Sequence, residues 1–107
     1  MKVCLDDIVE LLEMISETNS LIIMSLSKCY KENNNKDVLE VAGKLSFINV
    51  DIEQYISSYN QGFIDEDDNE ELNDLLDNIA STLNEVKQFK ISDEVIKSIF
   101  QCLKKIR

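Results

Sequence analysis

From Val38 onward the apolar positions fall at Val38, Val41, Leu45, Ile48, Ile52, Tyr55 and Tyr59, in alternating steps of three and four. That spacing keeps one side of a helix apolar, whereas a strand would repeat every second residue. Leu39, Ala42, Phe47 and Ile56 widen the stripe, which predicts a helix over 36–59 with neighbours on more than one side. Within 67–89, Leu72, Leu75, Leu76, Ile79, Leu83 and Val86 share one face. Glu70, Glu71, Asp74 and Asp77 project from the opposite face of that segment.

Two further segments follow the same period. Over 5–31, Ile8, Leu11, Leu12, Ile15, Ile22, Leu26 and Cys29 recur at helical spacing. The polar run Ser16-Glu17-Thr18-Asn19-Ser20 leaves open whether that helix kinks or breaks. Over 93–106 the stripe is Val95, Ile96, Ile99, Phe100, Leu103 and Ile106. Ser92 suits its N-cap, Asp93 and Glu94 its first turn, and Ile91 can staple onto Ile96. Lys104, Lys105 and Arg107 complement the negative end of its dipole.

No proline and only two glycines stand in the 107 residues, so few positions can interrupt a helix. The links are Asn33-Asn34-Asn35, a connection from Asn60 to about Asp67, and a tight turn near Lys90-Ile91. Asp37 with Glu40 has the spacing of a capping box after the asparagine run. Short links between amphipathic helices favour antiparallel neighbours. The prediction is an all-α chain, an antiparallel four-helix bundle or close variant, folded as a single domain.

Charge changes the picture in one place. The formal charge is −10, yet the 42 residues from Leu45 to Val86 contain no Lys, Arg or His and eleven carboxylates. The remaining chain holds ten acids against eleven bases, so the excess belongs to this stretch alone. Most of it is concentrated in eight carboxylates: Asp65, Glu66, Asp67, Asp68, Glu70, Glu71, Asp74 and Asp77. Solubilising surfaces normally mix both signs. A one-signed field repels anions and speeds encounter with a cationic surface. These eight residues are expected to form a docking patch for a basic protein. Phe63 and Tyr59 beside them are expected aromatic anchors, because charge steers association while buried aromatics hold it.

The same inventory narrows the chemistry. Without histidine there is no imidazole base, no histidine metal ligand and no Ser-His-Asp or Cys-His triad. Gly43 and Gly62 belong to no phosphate-binding loop. The run Asp65-Glu66-Asp67-Asp68-Asn69-Glu70-Glu71 fails as a calcium loop where the motif is specific: Glu70 replaces the glycine and Leu76 the bidentate glutamate. The chain is therefore expected to be non-enzymatic, with no cofactor and no metal. Cys4, Cys29 and Cys102 have neither metal-ligand nor C-x-x-C spacing, and Cys29 and Cys102 lie on apolar stripes. Free thiols fit a reducing compartment, hence the cytoplasm. Leu21-Ile22-Ile23-Met24 is too short to span a membrane, and Met1 to Asp7 turns acidic without an apolar core, which predicts no secretory signal. Direct nucleic-acid binding is not expected from so acidic a chain.

In size, acidity and helical build the whole chain is similar to the bacterial immunity proteins that neutralise nuclease toxins of the colicin or contact-dependent inhibition type. The likeness implies an inhibitor whose acidic face covers the nucleic-acid-binding surface of a basic nuclease. It rests on no shared motif, and no residue role is transferred. A phage DNA mimic acting on a restriction or CRISPR nuclease is a second reading, and it would need two rows of carboxylates at duplex-like spacing. A helical secretion chaperone or assembly adaptor is a third, working through exposed apolar residues such as Leu21, Ile23 and Met24. Monomer and homodimer are both compatible with the sequence.

Overall fold

The computed structural model describes residues 4–64, 70–91 and 93–106. It is an all-α four-helix bundle of α1 (Leu5–Asn33), α2 (Lys36–Asn60), α3 (Glu70–Lys87) and α4 (Asp93–Ile106). α1 packs on α2 and α4, and α3 packs on the same two helices, so the four close into a ring. The 29 residues of α1 give about 43 Å at the usual rise per residue, which accounts for the 45 Å long axis of the molecule.

Leu39 and Phe47 apart, the predicted stripes are the buried or half-buried faces of their helices. Leu12, Ile15, Ile22 and Leu26 of α1 meet Leu45, Ile52, Leu76, Ile79, Leu83, Ile96 and Ile99 in one apolar cluster. Cys102 is buried in it, Cys29 lies half-buried against it, and Cys4 is exposed; all three are free thiols. Among the described residues no helix is long and apolar enough to cross a membrane.

Leu39 and Phe47 depart from expectation. Both were expected to widen the buried stripe of α2, yet Leu39 is exposed and Phe47 is 74% exposed. α2 has only α1 and α3 as neighbours, and neither side chain is covered by them: Phe47 stands at the open edge of the gap between α2 and α3 instead of in the core.

The polar centre of α1 does not break the helix, which runs on from Leu5 to Asn33. Thr18 Oγ1 donates to the Met14 carbonyl at 2.8 Å, and Ser20 Oγ donates to the Ser16 carbonyl at 3.2 Å. Each hydroxyl shares a carbonyl four residues back in the same helix, so its donor is satisfied without a partner from outside α1. Asn19, fully buried, turns toward α2 instead.

The asparagine run makes both turns of the first link. Asn34 is left-handed at φ 57°, and its N–H donates to the Tyr30 carbonyl at 2.7 Å to close α1. Asn35 is the N-cap of α2, its side chain accepting from the Asp37 N–H at 3.0 Å. The expected capping box is thereby corrected: Asp37 sits inside the first turn and Asn35 caps it. α3 ends at Lys87, two residues short of the predicted 89, because Gln88, Phe89 and Lys90 tighten into a turn. Their N–H groups donate to Glu85, Val86 and Lys87 at 3.3, 3.0 and 3.1 Å. The predicted start of that helix at 67, and Ser92 and Arg107, lie outside the described residues.

Candidate partner-docking surface

Half of the expected acidic patch can be placed. Glu70, Glu71, Asp74 and Asp77 are all exposed on α3, outside the buried stripe of Leu72, Leu75, Leu76 and Ile79, with Glu71 at the edge nearest α2. Asp65, Glu66, Asp67 and Asp68, together with the calcium-loop-like run they begin, lie outside the described residues. Carboxylates in the first turn of α3 suit the positive end of its dipole, which offsets part of their mutual repulsion.

Glu71 faces α2 closely enough to act on Tyr55. Burial, and then the Glu71 carboxylate, push the Tyr55 phenol above its ordinary value of 10.0. Tyr55 therefore keeps its proton at neutral pH and anchors the α2–α3 contact as a neutral side chain.

The expected aromatic anchors differ in access. α2 terminates with Gly62 at φ +77°, its N–H donating to the Tyr59 carbonyl at 3.0 Å, while the Phe63 N–H reaches the Ser58 carbonyl at 2.9 Å. This pair of bonds is a Schellman motif, which needs a left-handed residue and so favours glycine. It delivers Phe63 to the surface, 75% exposed, two residues before Asp65. Tyr59 stays half-buried at the end of its stripe.

Between α2 and α3 runs an open groove of about 340 Å³, lined by Phe47, Ile48 and Asp51 on one side and Asn78, Ser81 and Thr82 on the other. Lys44 closes one part of it, its Nζ 3.1 Å from both carboxylate oxygens of Glu85. An exposed pair of this kind contributes roughly 0–1 kcal/mol. The groove was not anticipated, and neither was Phe47 as its aromatic wall. The signal lay in the period: Phe47 falls between Leu45 and Ile48, off the three-four spacing that marks the core.

The acidic face of α3 thus adjoins a groove carrying a further carboxylate, Asp51, and an exposed aromatic ring. That combination offers a cationic surface attraction at long range and an apolar contact at short range. Among the described residues no three His, Cys, Asp or Glu side chains gather into a metal site. No protein-family model, curated protein or solved structure matches the chain.

Proposed function

We propose that this chain is a non-enzymatic binding protein that docks the acidic face of α3 onto a basic protein and blocks it. A nuclease toxin or another nucleic-acid-binding protein is the class of partner whose cationic surface fits. The observation that carries this reading is the one-signed exposed face of Glu70, Glu71, Asp74 and Asp77 on a helix whose groove with α2 holds the exposed Phe47. Base-free sequence surrounds it on both sides, from Leu45 to Val86. A partner whose natural ligand is a phosphate backbone carries clustered Lys and Arg, and an acidic helix face covers them without any group transfer. In this reading the protein acts in the cytoplasm, where its three thiols remain reduced.

Paired capture from a lysate of the source organism tests it, with the wild-type protein and the Glu70→Lys/Asp74→Lys/Asp77→Lys variant as baits. The proteins held by the wild type and lost by the variant should be basic. Recovery of the same proteins by both baits would rule the acidic face out as the docking surface.

A further inference from the structure

α1 carries two stripes. One is buried in the bundle through Leu12, Ile15, Ile22 and Leu26. On the far side Met14, Leu21 and Met24 are 49%, 57% and 69% exposed. They belong to the series Met14, Glu17, Leu21, Met24, Lys28 and Lys31, every member of it exposed, in alternating steps of three and four. That is the spacing of a coiled-coil seam. Among the described residues nothing covers it, since α2 and α4 flank the buried side.

Beside the exposed Glu10, Glu13, Ser27 and Glu32, the seam is bordered by three small residues whose hydroxyls are already bonded. Thr18 and Ser20 bond back to their own helix, and Ser25 Oγ likewise donates to the Leu21 carbonyl at 3.2 Å. Another helix can approach them closely without burying unsatisfied hydroxyl donors.

Charge along the seam names the occupant. An acid, Glu17, precedes the apolar centre, and two bases, Lys28 and Lys31, follow it. A helix with that order complements itself when reversed. We infer that the outer face of α1 is a self-association surface, on which two copies pair antiparallel about a two-fold axis between Leu21 and Met24. Setting Leu21 against Met24 of the second copy puts Glu17 against Lys28 and Met14 against Lys31. The two-fold repeats each contact, as an isologous interface requires. The Lys31 stem covers Met14 while its ammonium stays in water. A parallel pair would instead set Glu17 on Glu17 and Lys28 on Lys28, which selects the antiparallel arrangement. α1 and α3 stand on opposite corners of the ring, so the pairing leaves the acidic face of α3 uncovered in both copies and does not depend on what that face binds.

Sedimentation equilibrium tests the pairing on four samples: wild type, Glu17→Lys, Lys28→Glu, and an equimolar mixture of the two variants. The wild type should be a reversible dimer. Each variant alone meets like charge at both ion-pair positions, and its dissociation constant should rise at least about tenfold. In the mixture a chain with two lysines faces a chain with two glutamates, so dimerisation should return to wild-type strength or better. A wild type that remains monomeric at every concentration overturns the inference. So does a mixture that associates no more tightly than its separate components.

Discussion

The side-chain amide of Asn19 donates to Asn49 Oδ1 at 3.2 Å across the seam between α1 and α2. Asn49 in turn donates to the Ser16 carbonyl at 3.3 Å and to Ser20 Oγ at 3.4 Å, so one α2 residue clamps a full turn of α1. Asn19 Oδ1 is buried with no partner among the described residues. Asn49→Ala should therefore destabilise the fold by about 2 kcal/mol, because both polar ends of Asn19 are then stranded. Replacing both by leucine should recover most of that loss, since no buried polar group remains to be satisfied. Urea midpoints of the two variants check the asymmetry; equal losses would contradict it.

The two glycines should respond with opposite signs. Gly62 adopts φ +77°, so Gly62→Ala should cost about 1 kcal/mol through left-handed strain. Gly43 lies inside α2, and a Cβ there would meet nothing within 4 Å. Gly43→Ala should gain about 1 kcal/mol from helix propensity. Thermal melts of the single variants measure both shifts.

Spacing alone made the four helices legible, because each has a continuous apolar stripe that packs inward and the links hold asparagine, glycine or charge. It did not reveal what lies on the remaining sides. Leu39 and Phe47 are apolar yet exposed, because a ring of four helices gives α2 only two neighbours. Asn19 is polar yet fully buried, because its partner Asn49 stands thirty residues away in the chain. The acidic character of α3 was legible from its four exposed carboxylates, while the groove beside it depends on how α2 and α3 pack and has no local signature. The Asp37–Glu40 pattern competed with a better cap two residues earlier, Asn35, whose extended backbone suits the role.

Tyr55 makes stability depend on alkaline pH. Its raised value means that the folded chain keeps a proton which the unfolded chain loses near the ordinary value of 10.0. The unfolded state then binds fewer protons, so stability falls as pH climbs from there through the folded value. Below that window both states are protonated and Tyr55 contributes no pH dependence. Tyr55→Phe should lose less stability than the wild type between about pH 9 and about pH 11, as read from urea midpoints. Parallel losses in the two proteins would contradict the assignment.

Docking through a one-signed face is an electrostatic claim, and rate constants report it most directly. For the partner captured by the wild type, stopped-flow association should slow at least about tenfold between low and high ionic strength. For the Glu70→Lys/Asp74→Lys/Asp77→Lys variant, with circular dichroism showing an intact helical fold, association at low salt should be slow and nearly independent of ionic strength. Equal rate constants for the two proteins at low salt would contradict docking by the acidic face of α3.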